Sequence, residues 1–171
     1  MSKPFIPIFL CGLVLFSCKQ KNNNINESKY RIVFTSSIGM EVDLNSKILN
    51  VNLVNLRFKD TLRFTPSENQ LLWQSFNESG LFNSKGTIMY DPVRITTPSS
   101  TEVIQIFKDN KIVSTVHINT ECKLDTLPKN DMYKAIRFKN VIVKLLNKDS
   151  VFVKARKRYE KYRKDNFMLD M

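Results

Sequence analysis

Glycine is scarce in this chain: four residues in 171. That argues against glycine-rich phosphate loops and against repeat architectures built on them. Histidine is scarcer still, with His117 alone, and there are three cysteines. A zinc cage, a serine triad with a choice of bases and an H-E-x-x-H site are therefore poorly supplied or excluded. No G-x-S-x-G surrounds any serine, and neither C-x-x-C nor an EF-hand loop occurs. No apolar run reaches the roughly 20 residues that cross a bilayer. No cofactor is implied, and no metal site. What the chain does hold is apolar material at 42% and a formal net charge of +11. The first is enough for a packed core, and the length suits one domain.

The first residues read MSKPFIPIFLCGLVLFSC, with Lys3 followed by a 12-residue run from Phe5 to Phe16. Such a run matches the apolar stretch of a secretory signal. It ends in Leu15-Phe16-Ser17-Cys18. This resembles the lipobox of bacterial lipoproteins: an aliphatic residue, a small residue just before the cut, then cysteine. Phe16 is bulkier than the residue usual there. The resemblance covers residues 1–18 only. It implies removal of residues 1–17 and a lipid on Cys18, hence attachment to a membrane of the bacterial cell envelope. Lys19 after the cysteine implies, by the family's sorting rule, the outer membrane facing the periplasm. Cys11 would leave with the signal, so the mature chain would keep Cys122 and have no internal disulfide to form. Residues 18–28 then form a lipidated, polar, asparagine-rich tether. Ten flexible residues reach roughly 15–20 Å.

Residues 29–148 read as a single domain. Tyr30 to Phe34 are strand formers, and Met40, Val42 and Leu44 alternate with Glu41 and Asp43. After a turn at Asn45-Ser46, alternation resumes over Ile48–Phe58. Lys59-Asp60 is expected to break that strand and Leu62-Arg63-Phe64 to begin another. Thr65-Pro66-Ser67-Glu68 is the signature of a helix start: a hydroxyl cap, proline at the first helical position and a returning glutamate. Gly80 is placed to end that helix, with Trp73 and Phe76 as core. A short strand is expected at Thr87–Tyr90 and a surface loop over 91–100. Two strands, Val103–Lys108 and Lys111–Asn119, flank Asp109-Asn110, which suits a type I′ hairpin. A second loop follows over 120–129. Asp131–Leu146 carries Ala135, Phe138, Val141, Ile142 and Leu145 on one helical face. The expected class is α+β: an antiparallel sheet with two helices packed on one face, plus a basic C-terminal helix. In order of elements alone, this resembles uncharacterised small bacterial lipoprotein domains, and PepSY-like and inhibitor-like modules.

Two constellations invite chemistry. His117 and Cys122 would be a nucleophile and base, but alternation puts Ile112, Val116 and Ile118 inward and His117 outward, with Cys122 in the loop beyond. A dyad needs hydrogen-bond reach, so a surface histidine is the expectation. Glu41 and Asp43 share a strand face and are expected to face solvent.

The strongest surface signal is the tail, residues 149–171. Lys154, Arg156, Lys157, Arg158, Lys161, Arg163 and Lys164 set seven cations against one acid in eleven residues. Phe152, Ala155, Tyr159 and Tyr162 fall on one helical stripe, and Ser150 is placed to cap it. The stripe is expected to dock on the domain. The cations are then a solvated face, an anionic-surface contact or a contact for an acidic protein face. Each cation near an anionic membrane is worth about 1 kcal/mol. Acyl burial gives about 0.8 kcal/mol per CH₂, so a lipid on Cys18 would make the tail unnecessary for attachment. The reading is a membrane-anchored envelope lipoprotein with a non-catalytic binding or accessory domain, contacting another envelope protein and no nucleic acid. Its rivals are a hydrolase with a carboxylate-based site and a structural envelope component that contacts anionic surfaces through its tail.

Overall fold

The computed structural model describes residues 26–53, 55–90, 101–120 and 130–166. The expected signal peptide, Cys18, most of the tether, the loop at 91–100, nearly all of that at 120–129 and Cys122 lie outside the described residues. Those described form seven strands and three α-helices: β1 (Tyr30–Thr35), β2 (Glu41–Asp43), β3 (Ile48–Asn52), β4 (Arg57–Thr61), α1 (Pro66–Ser79), β5 (Gly86–Tyr90), β6 (Thr101–Lys108), β7 (Lys111–Asn119), α2 (Asp131–Lys148) and α3 (Ser150–Asp165). The class is α+β. One sheet runs in the order β4-β3-β2-β1-β6-β7-β5. All pairs are antiparallel except β5 with β7 at one edge.

The period of two fixes the inner face. Ile32 and Phe34, Val42, Leu49 and Val51, Ile104 and Ile106, Val116 and Ile118 are all buried there. They share one core with Leu72 and Phe76 of α1, Phe138 and Ile142 of α2, and Phe152 and Tyr159 of α3. All three helices thus cover the same face. The opposite face carries Arg31, Thr35, Glu41, Gln105, Thr115 and His117, half-buried or exposed.

The start of α1 follows its sequence signature. Thr65 Oγ1 accepts from Glu68 N–H, and the Glu68 carboxylate accepts from Thr65 N–H at 3.0 Å. Gly80 ends the helix at φ 69, a conformation that costs a residue with a Cβ about 1 kcal/mol or more. Asp109 and Asn110 both have positive φ, 49 and 63, as a type I′ turn requires.

Four expectations need correction. The run Ile48–Phe58 is two strands, because Leu53 N–H bonds to Leu56 C=O and turns the chain. Val51 then faces Phe58. The sign lay in the pattern: inward residues are odd-numbered to Leu53 and even-numbered from Leu56. Lys59-Asp60 does not break a strand but lies within β4, the edge strand of the sheet among the described residues. Charges there discourage pairing with another sheet. Leu62–Phe64 is no strand; Leu62 and Phe64 are buried, and Leu62 N–H bonds to Lys47 C=O instead. Ile112 is outward and 55% exposed, since a bulge shifts the β6–β7 register between Ile106 and Phe107 and reverses the faces beyond it.

Candidate functional site

Asp149 sets the geometry of the basic helix. Its backbone N–H closes α2 by bonding to Leu145 and Leu146 carbonyls. Its Oδ1 opens α3 by accepting from Val151 and Phe152 N–H at 2.8 and 3.0 Å. Its Oδ2 accepts from Arg63 N–H at 2.6 Å, fastening the joint to the segment after β4. The cap is Asp149 and not Ser150, which is the first helical residue. Aspartate suits the site, since a carboxylate also complements the positive end of the helix.

From that joint α3 lays Phe152, Ala155 and Tyr159 into the core, with Tyr162 partly buried beside them. The expected docked stripe is therefore present. The seven cations do not act as one patch. Lys154, Lys157, Lys161 and Lys164 recur at i, i+3, i+7 and i+10, all exposed, on the side opposite the stripe. Among the described residues none of these four has an ion-pair partner. Arg158 lies over the Phe58 ring of β4 at 4.6 Å, a contact that packs as well as it attracts. Arg163 lies over Tyr159 at 6.0 Å. Arg156 turns the other way: its Nη1 donates to Asn147 Oδ1 at 2.8 Å, and its Nε is 3.8 Å from Glu160 Oε1. Leu15, Phe16, Ser17 and Cys18 lie outside the described residues.

Arg156 borders a cleft of about 150 Å³ between α2, α3 and the β1–β2 turn. Phe34, Ile38, Val143, Leu146 and Phe152 give it apolar walls; Ser36, Ser37, Asn147, Arg156 and Glu160 supply polar groups; Glu102 also lines it. The turn is fixed by Ser36, whose Oγ accepts from Met40 N–H at 3.1 Å. Glu102 is on the inner face of β6 and 9% exposed. Its Oε2 meets Lys139 Nζ of α2 at 3.1 Å, and Lys139 is 6% exposed. The sequence reading did not find this pair. Its signal was present: Glu102 alternates with Ile104 and Ile106, and Lys139 follows Ala135 by four on the core face of α2. Each is a charge in an apolar period.

The other expected placements are simpler. His117 is on the outer face, in register with Val103 and Met89. Asp43 takes Arg31 Nε at 2.7 Å, and Arg31 stacks on Phe107 at 4.6 Å. At the end of β5, burial first and Asp131 second push the Tyr90 phenol up. Among the described residues no group of three His, Cys, Asp or Glu is placed to hold a metal, and no helix is long and apolar enough to cross a membrane. No family model matches the chain, and neither curated proteins nor solved structures give a match.

Proposed function

We propose that this chain is a lipid-anchored envelope protein, held by Cys18, whose folded domain is a non-catalytic binding or accessory module. Its contact surface is the row Lys154, Lys157, Lys161 and Lys164, and its partner is the acidic face of another envelope protein. One observation carries the reading. The aromatic stripe docks α3 on the core while four lysines, without acidic partners among the described residues, point away from it. A rigid row of like charges steers an oppositely charged partner and fixes its register. It spans about 15 Å at 1.5 Å per residue, a length suited to one partner element.

The test has two arms. Labelling of cells with a palmitate analogue marks the wild-type chain and not Cys18→Ser. Cross-linking in intact cells captures one stoichiometric protein with the wild-type chain and loses it when the four lysines become glutamine. An unlabelled wild-type chain overturns the anchor. A partner retained by the lysine variant overturns the contact surface, and capture of lipid alone makes the row a membrane contact.

A further inference from the structure

The cleft beside Arg156 has groups that the lysine row does not use. Its volume, about 150 Å³, is that of a cavity able to hold benzene, so it admits a ligand of about six heavy atoms. An apolar wall with a few converging polar groups is the usual make-up of a small-molecule site. The charges narrow the ligand further. Glu102 and Glu160 line the cleft with Arg156, and Lys139 stands behind Glu102. Two acids and one base line the cleft, and the second base neutralises Glu102 from behind. A ligand with a single charge would leave one unit uncompensated in a half-enclosed space, whereas one carrying both signs would not.

Both charges are also held in place, Glu102 on the inner face of β6 and Arg156, 39% exposed, at the mouth on α3. Arg156 is fixed through Nη1 by Asn147 and flanked through Nε by Glu160, which leaves its Nη2 edge for a carboxylate. Glu102 commits Oε2 to Lys139, which leaves acceptor capacity for an ammonium. These groups come from β6, α2 and α3, so the spacing is set by packed elements and not by a loop. An ion pair in a core is not favoured for stability over apolar residues of the same volume. A carboxylate kept beside a cleft is then better explained by what enters the cleft.

We propose that the cleft binds a small zwitterion, an amino acid of the size of glycine or alanine, with its ammonium on Glu102 and its carboxylate on Arg156. This rests on the cleft alone and stands whether or not the lysine row meets a partner.

Calorimetric titration of the full chain in detergent micelles with glycine and alanine tests it, with propylamine and propionate as singly charged probes. The expected result is saturable one-site binding of an amino acid, with both control probes weaker by about tenfold or more, because each leaves a site charge unpaired. Arg156→Gln weakens amino-acid binding by about tenfold or more, since it removes the charged donor. Lys157→Gln, on the outer row, leaves it unchanged. Glu102→Gln strands Lys139 and is liable to unfold, so Arg156→Gln, with its circular dichroism unchanged, is the deciding variant. Absence of saturable amino-acid binding, equal binding of propionate or propylamine, or full affinity in folded Arg156→Gln overturns the proposal.

Discussion

Asp149 does three tasks with one short side chain and its own amide: it closes α2, opens α3 and ties both to Arg63. Removing a helix cap costs about 1 kcal/mol, and a buried hydrogen bond to a charged group is worth about 1.5–3 kcal/mol. Asp149→Ala is therefore expected to destabilise the domain by about 2–4 kcal/mol in urea unfolding. Asp149→Asn keeps an acceptor and should lose less than half of that. Lys139 and Glu102 present the opposite economy. Lys139→Ala leaves a carboxylate unpaired under α2 and should cost about 3–5 kcal/mol, while the double change Lys139→Met with Glu102→Leu should recover most of it or exceed the wild type. Failure of the double variant to recover would mean that the pair holds the local packing together and does more than neutralise two charges. Asn45 is a further case of a residue acting beyond its type. It was legible as a turn former, yet its Oδ1 accepts from Ile32 N–H and its Nδ2 donates to Tyr30 C=O at 2.8 and 2.7 Å. It thus extends the ladder of β1 beyond the end of β2, which no local pattern announces because the partners are 13 and 15 positions away.

Elements were legible where the signal was local. The box at Thr65 and Glu68, Gly80 at positive φ and the Asp109-Asn110 turn each depend on residues within a few positions, and each lies where the sequence puts it. The α1 box also yields a pH prediction. Hydrogen bonds from the Thr65 backbone and then its hydroxyl hold the Glu68 carboxyl below its ordinary 4.5. Because the folded value is the lower one, its contribution is present above about 4.5 and is lost as pH falls through the folded value. The stability difference between wild type and Glu68→Gln should therefore shrink across that window, and a difference constant down to pH 2 would contradict the assignment. Elements were misread where the answer was non-local. The bulge that turns Ile112 outward exists only in the register of β7 against β6, and β4 is an edge strand only because no described strand pairs beyond it. For the candidate site, the aromatic stripe and the cations of α3 could be read from helical spacing. The division of those cations could not, since Phe58, Asn147 and the cleft reach them through the fold.

At the scale of the molecule, the sheet divides the described residues into a side covered by the three helices and a side that no described helix covers, and α3 turns its lysines away from the core on the helical side. That division separates what holds the fold from what remains free to meet a partner. Tyr159 and Phe152 belong to the core, and Arg158 on Phe58 seals its margin. The four lysines belong to neither, so replacing any one of them should leave stability within about 0.5 kcal/mol of the wild type. Replacing all four removes a field that extends about 10 Å into 0.1 M salt. Association with an acidic partner should then slow, and the wild-type rate should itself fall as salt rises while dissociation changes little. Measured side by side, Lys154, Lys157, Lys161 and Lys164 changed together to glutamine should give an unchanged unfolding midpoint and lost salt-dependent capture. Tyr159→Ala should lower the midpoint, with a core cavity costing about 3–5 kcal/mol, and weaken capture only because α3 is no longer held. If the lysine variant instead unfolds early, the row is part of the fold's own electrostatic balance. If it is stable and still captures its partner, the contact lies on the face of the sheet that no described helix covers, where Arg31, Glu41 and His117 are the residues to change next.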